Sequence, residues 1–576
     1  MITVTETPAD LLDAALGDPW DAANPVGFAG ILAADERQEM FAEGERRLDA
    51  FGLNAEFVPV RHGGRLGRAD RLAAALRTLW RRDPCLGLGY GFSSFIASVN
   101  LWSAGDEQQR RTAAGMLLDN RKIASVYHEL AHGNDFAHAE FAARPAPGGG
   151  WLLNGTKEIV TNFRRADALV VFARTDGAPG SRSHSQFFVR KDGLPEGALR
   201  YLDRFPSSGM RGVQLGGGRF TDCPVPDGAL LGEPGRGIET ALKSFQLTRS
   251  IIPSMCVGPL DTALRTAVGF ALERRLYGGA AADLPYVRTV LGRAFADLLA
   301  VDAFTTVVVR ALQVLPEETP VLASASKYLA SRMLLDTLEE LRGVLGAQSY
   351  LREGPYAVFQ KMARDVAPAT FGHASRSACL VTVLPQLPRL ARRAWFASAP
   401  APAALFDLDA DLPELDFGLL AAGSPHTDGL AATLVETAER LGGRGPAGRL
   451  AARFRDELAA LREECRALAP QDITIGASPH AYAAAGRYTV VLAAAAVLGV
   501  WWHAQHAEHA QHGPRPGLRD EAALLAALDR LDRRLPGRSV LTAAERADLD
   551  RQLFDRAVER FADRRLFDLT ARHIPG

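Results

Sequence analysis

The chain runs to 576 residues, of which 47% are hydrophobic and 23% charged; that is too long for one core and predicts about three or four packed domains able to bury a large ligand. Lysine and arginine number 66 against 67 aspartate and glutamate, which excludes a net field of the kind that gathers nucleic acid or an anionic membrane surface. Five cysteines (Cys85, Cys223, Cys256, Cys379, Cys465) lie far apart with no CxxC pair, which argues against a disulfide framework or a zinc site and fits a reducing cytoplasm.

The first residues, MITVTETPADLLDAALGDPWD, carry acidic groups and no basic stretch leading into an apolar one, so they do not read as a secretory signal and a cytoplasmic location is expected. Residues 30–120 predict helices, because 71–80 and 107–118 repeat apolar side chains every three or four positions. From 122 to about 232 short apolar runs alternate with turn residues (IASVYHE, GWLLNGTKEIVT, ALVVFART, SQFFVRK, GVQLGGGRFTDCPV), the texture of a β-domain. After GEPGRG at 232–237, amphipathic helices return and continue to about 393. The stretch ASAPAPAALFDLDADLPELD reads as a linker or wrapped loop, and 430–468 and 521–566 read as further helices. The predicted boundaries are therefore 1–121, 122–236, 237–395 and 396–576. The most apolar window, 488–502 (YTVVLAAAAVLGVWW), is shorter than the roughly 20 residues that span a bilayer; it reads as a buried helix, and no membrane span is expected.

Three segments carry candidate chemistry. Residues 124–135, ASVYHELAHGND, end near Gly133, which lets the backbone approach a phosphate or a ring closely. Residues 153–174, LNGTKEIVTNFRRADALVVFAR, offer the Thr161 hydroxyl as a donor at a strand end. Residues 270–278, FALERRLYG, offer Arg274, a guanidinium suited to a diphosphate or equally to an ion pair with Glu273. Ordinary turn, strand and helix-surface residues satisfy the same pattern. In this order, however, the three segments resemble the acyl-CoA dehydrogenase superfamily: the flavin-cradling Thr-Glu-Pro-Gly-Ala-Gly-Ser-Asp segment, the Leu-Asn-Gly-x-Lys-x-Trp-Ile-Thr-Asn run, and the Glu-Arg-x-x-Phe-Gly element. Weaker echoes occur at 52–68 and 220–232, and the resemblance covers about residues 30–395.

The resemblance implies an α+β, mainly α fold: an N-terminal helical domain, a middle β-barrel-like domain and a C-terminal four-helix bundle, to which 396–576 adds a helical domain. It implies FAD bound between the middle sheet and the following helices, with Tyr127, His128, Gly133, Asn134, Ile159, Thr161, Arg274, Tyr277 and Ser375 at the cofactor. Arg274 would reach the flavin diphosphate of a neighbouring subunit, so a homodimer or homotetramer is expected.

The chain departs from the family pattern where the substrate proton is removed. The family's glutamate, in a Tyr-Glu-Gly-Thr segment after an Arg-Asp pair, falls on His373 in RDVAPATFGHASRS (364–377), its glycine on Ala374 and its threonine on Ser375. The glutamate that other members carry just before a matching arginine falls on Thr248, beside Arg249; these two are candidate substrate contacts. His373 is the candidate base, since a neutral imidazole accepts protons near pH 7, and a histidine that only lines the pocket is the alternative. Asp365 reads as the partner of Arg364, with Glu353 another nearby carboxylate. Ile159 stands where the family has a tryptophan, His128 for its threonine and Asn134 for its serine; VLGAQSY at 344–350 departs from Val-Leu-Gly-Gly-Asn-Gly-Tyr. Glu158 is expected to face solvent. Histidines 503, 506, 509 and 512 repeat every three residues but have Glu508 as the one carboxylate among them, so they read as a solvated or packing stripe and no metal is expected.

By resemblance, then, the chain is expected to be an FAD-dependent oxidoreductase that introduces an α,β double bond into an acyl thioester on coenzyme A or an acyl carrier protein, of a kind found in secondary metabolism, with an electron-transfer partner. Two alternatives stand beside it: an oxygen-using flavin oxidase, epoxidase or hydroxylase, and a non-catalytic scaffold binding a thioester or carrier protein.

Overall fold

The computed structural model describes residues 6–423, 426–506 and 518–575. It is 59% helical, with a curled seven-stranded sheet and a two-stranded hairpin among the described residues. The chain forms two compact units, residues 1–68, 83–248 and 415–422 in one, and 69–82, 249–414 and 423–576 in the other.

In the first unit, short helices lead into the sheet. Capping boxes start two of them: Thr7 with Asp10 opens Pro8–Leu16, and Asp106 with Gln109 opens Glu107–Leu118, each pair satisfying N–H groups that the first helical turn leaves unbonded. Helix Ser93–Ala104 is buried on nearly every side, and β1 (Ile123–Val126) packs on it. The remaining strands are β2 (Ala142–Pro145), β3 (Trp151–Thr161), β4 (Ala168–Arg174), β5 (His184–Arg190), β6 (Leu199–Tyr201) and β7 (Leu215–Val225). They order as β1-β4-β2-β3-β7-β6, with β5 pairing β4. β4 is covered on both faces and reads as an unbroken apolar run. Leu153, Val160, Leu169, Val171, Phe187, Phe220 and Cys223 build the core of the sheet. Gly155 has φ +130°, and a Cβ there would come 2.9 Å from the Phe141 ring, so only glycine fits. β3 and β7 pair antiparallel with register shifts at Leu153/Gly155 and Lys157/Val160.

The second unit is helical. Pro285–Val314 runs 30 residues and is buried along almost all of them, because Val257–Glu273 and Thr319–Leu345 pack on it together with three helices from the C-terminal region, Pro479–His506, Glu521–Asp532 and Ala543–Ala562. Helices Pro479–His506, Glu521–Asp532 and Ala543–Ala562, expected in a separate domain, thus share one core with the bundle, while residues 415–422 fall in the first unit. At Gly292 a Cβ would lie 2.3 Å from the Asp550 carbonyl, which lets the two helices meet closely. Arg530 grips Asp297 at 2.9 and 2.6 Å, and Arg293 grips Asp550 through Nη2 at 2.9 Å. Helix Ala69–Arg82, read from sequence with the N-terminal segment, belongs here: Ala69 N–H donates to Gln313.

The apolar window seen in the sequence lies within the 28-residue helix Pro479–His506, which is long and apolar enough to cross a membrane by length and composition, yet 83% of its most apolar stretch is buried against protein. His503 stacks on Phe406 and His506 on Trp502; His509 and His512 lie outside the described residues. Among the described residues no three His, Cys, Asp or Glu side chains gather as metal ligands.

Candidate functional site

In the first unit the loop after β1 is tied to β3 by charge. Lys157 Nζ lies 2.8 Å from Glu129 Oε1 and donates to the Tyr127 carbonyl at 2.9 Å. Glu129 also accepts the Glu140 and Phe141 N–H groups. Burial alone would raise the Glu129 carboxyl; Lys157 and the two backbone donors outweigh it and hold the group below the usual carboxylate range. Burial pushes the Lys157 ammonium down to about 8 against the pull of Glu129. Glu158, expected to face solvent, adds a second tie by accepting the Leu130 N–H at 3.0 Å.

This arrangement sets out the candidate residues. His128 hydrogen-bonds the Gly133 carbonyl, and its own carbonyl accepts the Glu158 N–H. Gly133, φ +54°, and Asn134 are exposed, with open space beyond the Gly133 Cα. Ile159 has φ +56° at the register shift, a conformation rare for a β-branched residue. Ile159 and Thr161 are both partly exposed, and Val160 between them is buried. Tyr127 is engaged internally: it stacks on Phe172 at 5.1 Å, donates to Asn100 and accepts from Gln186, which leaves its backbone as the part it can offer a ligand. Thr248 is fully buried, with its hydroxyl on the Phe245 carbonyl, so it has no free hydroxyl for a substrate.

In the second unit, loop 371–375 leads into helix Arg376–Val383. His373, half-buried, has φ +57° and Ala374 φ +125°. Ser375 caps the helix by accepting the Ala378 N–H, a structural use of a hydroxyl read from sequence as a cofactor contact. Arg249, expected at the substrate, holds protein instead, reaching the His373 carbonyl, Ser324 Oγ and Thr382 Oγ1 at 3.3 to 3.4 Å. Asp365 is fully buried between Lys361 (2.5 Å) and Arg364 (3.4 Å), the partnership expected of it. Glu353 is exposed. Arg274 and Tyr277 lie on the hairpin Arg275–Leu276 and Gly279–Ala280. Its two turn residues, Tyr277 (φ +52°) and Gly278 (φ +86°), have the positive angles of a type I′ turn, and Tyr277 is 93% exposed. Glu273 accepts the Tyr356 hydroxyl at 2.6 Å and not Arg274.

Residues 125–223 match the acyl-CoA dehydrogenase middle domain and 235–373 the acyl-CoA dehydrogenase C-terminal domain. Over these residues the chain is of the acyl-CoA dehydrogenase family. That family is one of acyl-thioester oxidoreductases, and the chain falls in that class. It is 29% identical over 337 residues to the human mitochondrial short-chain specific acyl-CoA dehydrogenase, covering 56% of this chain and 78% of that one. Two solved structures share the fold: the prolyl acyl carrier protein oxidase AnaB (TM-score 0.58, 20% identity, 65% of this chain and 96% of that one) and PigA with FAD and proline (TM-score 0.58, 19% identity, 67% and 99%).

The match to the C-terminal domain ends at residue 373, and helices Pro479–His506, Glu521–Asp532 and Ala543–Ala562 lie beyond it. The sequence segments 124–135 and 153–174 contain Glu129 and Lys157 but do not show that the two pair. Sequence reasoning misses Lys327, which is fully buried and donates to the Gly372 carbonyl. A lysine inside the apolar periodicity of Thr319–Leu345 is the signal that marks it.

Proposed function

We propose that the chain is an FAD-dependent oxidoreductase that forms an α,β double bond in an acyl thioester carried on coenzyme A or an acyl carrier protein, with His373 as the base. The observation that carries this reading is the pair of acyl-CoA dehydrogenase domain matches; counted from Arg364 and Asp365, the family's carboxylate position falls on His373, on a loop whose carbonyls accept from Arg249 and Lys327.

The residues present fit a flavin. Thr161 Oγ1 makes no hydrogen bond among the described residues, and Ser125 Oγ on β1 is buried without a partner among them. Gly133 leaves room at the loop. Tyr127 to Gly133 by their backbone, and Thr161 by its hydroxyl, would hold the ring; Arg274 and Tyr277, exposed on their hairpin, would serve the diphosphate of a second subunit in a homodimer or homotetramer. FAD, when bound, supplies the acceptor for the β-hydride. His373 takes the α-proton on its imidazole, and hydrogen bonds to the thioester carbonyl stabilise the developing enolate charge.

The likeness in fold to a prolyl acyl carrier protein oxidase supports a carrier-bound acyl group, and a place in secondary metabolism is part of the same proposal. A protein partner in the cytoplasm would accept the electrons. The second reading, direct use of oxygen, draws on the same neighbour and on Ile159 in place of the tryptophan that flanks the ring. Peroxide or oxygenated product formed in step with turnover would establish it.

Replacing His373 with alanine tests the base. Single-turnover flavin reduction by a thioester is expected to slow about 10²-fold or more with flavin content unchanged; an unaltered rate removes His373 from the mechanism. A protein that holds flavin but is reduced by no thioester would leave the scaffold reading.

A further inference from the structure

Two buried cations from different helices meet consecutive carbonyls of one loop. Lys327, on Thr319–Leu345, is fully buried, and its ammonium donates to the Gly372 carbonyl. Arg249, on Gly237–Met255, is 7% exposed, and its Nε donates to the His373 carbonyl at 3.3 Å. The same guanidinium reaches Ser324 Oγ, one turn before Lys327, at 3.3 Å, and Thr382 Oγ1, on the helix that the loop enters, at 3.4 Å.

The loop needs such a grip. His373 and Ala374 both have positive φ, +57° and +125°, a conformation that non-glycine residues keep only where their surroundings over-determine it. The turn also directs two successive carbonyls inward, where burial without donors would add a further penalty. The charged and titratable groups acting on Lys327 are Cys379, Arg249 and Cys256, none a carboxylate. Burial pushes the ammonium down to about 8, so keeping it here is expensive, and the Gly372 carbonyl is what it holds.

We propose that Lys327 and Arg249 are positioning residues that clamp the Gly372 and His373 carbonyls and so hold the His373 imidazole in its working orientation. The clamp is a feature of the loop itself; its kinetic consequence rests on His373 being the base.

The test uses the full-length flavin-loaded protein and the variants Lys327→Met, Lys327→Arg, His373→Ala and the double variant Lys327→Met/His373→Ala, with Arg249→Lys as a second probe should Lys327→Met not accumulate. Amide hydrogen exchange across 371–376 reads the clamp directly. Exchange is expected to rise at least tenfold in Lys327→Met or Arg249→Lys and to return in Lys327→Arg; unchanged exchange overturns the proposal. Single-turnover flavin reduction by an acyl thioester reads the consequence. Lys327→Met is expected to slow reduction 10- to 100-fold with flavin content and thioester dissociation constant unchanged, and the double variant is expected to be no slower than His373→Ala. Slowing that multiplies in the double variant overturns action through His373. Raised exchange with an unaffected rate in His373→Ala keeps the clamp and removes the base.

Discussion

The Lys157 ammonium and the Glu129 carboxylate, 2.8 Å apart and both buried, join the strand that ends at Thr161 to the loop that carries His128 and Gly133. Two motif residues 28 positions apart in the chain are therefore one structural device. Removing one partner leaves the other charged and buried. Lys157→Met is expected to destabilise the protein by about 3–5 kcal/mol, the scale of a broken buried pair, and to lower flavin retention. Urea unfolding and the flavin-to-protein absorbance ratio measure the two effects; a loss below 1 kcal/mol would mean that the pair does not hold the loop.

Adjacent residues on β3 should respond oppositely to the same substitution. Ile159 is partly exposed at φ +56°, whereas Val160 is 1% exposed in the sheet core. Asparagine tolerates the left-handed region far better than isoleucine. Ile159→Asn is expected to be neutral or stabilising by about 1 kcal/mol, and Val160→Asn to cost about 2–4 kcal/mol through an unpaired buried amide. Thermal unfolding of the two variants decides it, and equal destabilisation would contradict the backbone assignment.

Among the described residues, Glu318 and Asp428 form a carboxyl pair with no cation acting on it. Asp428 accepts from Trp395 Nε1 (2.9 Å), the Tyr488 hydroxyl (2.5 Å) and the Ala431 N–H, and Glu318 accepts the Gly429 N–H. Burial first, then the Asp428 charge, pushes Glu318 up to about 7; burial raises Asp428 as well. A carboxyl raised in the folded state keeps a proton that the unfolded chain, with its value near 4.3, has already released. Stability from this pair is therefore full below that unfolded value, declines as pH rises to about 7, and stays low above it. Glu318→Gln removes the charge and keeps an acceptor. It should be more stable than the parent by about 1–3 kcal/mol at pH 8 and by little at pH 5, in urea unfolding at the two pH values. A pH-independent difference would contradict the shift.

The helix–sheet–helix order is legible because the apolar period changes from about 3.6 to 2 and back along the chain. Asp365 as the partner of Arg364, and the buried helix around 488–502, follow from local pattern. What escapes the sequence is set by distant neighbours. Ala69 meets Gln313 244 positions away, so helix Ala69–Arg82 carries no local mark of its unit. Tyr127, Thr248, Arg249 and Ser375 have side chains that would serve a ligand or the protein equally well, and only the fold reveals that Asn100, Phe245, His373 and Ala378 take them. The C-terminal helices carry ordinary amphipathic periodicity, which is silent about whether they form a core alone or share one with Pro285–Val314.

The central claim is flavin-dependent oxidation of an acyl thioester. Anaerobic titration of the purified, FAD-loaded protein with a series of acyl-CoA and acyl carrier protein thioesters, followed by absorbance, tests it most directly. Bleaching of the blue flavin band by at least one thioester, with the matching enoyl product, is the predicted result. A protein that cannot be loaded with FAD, or whose flavin stays oxidised with every thioester, would contradict the account.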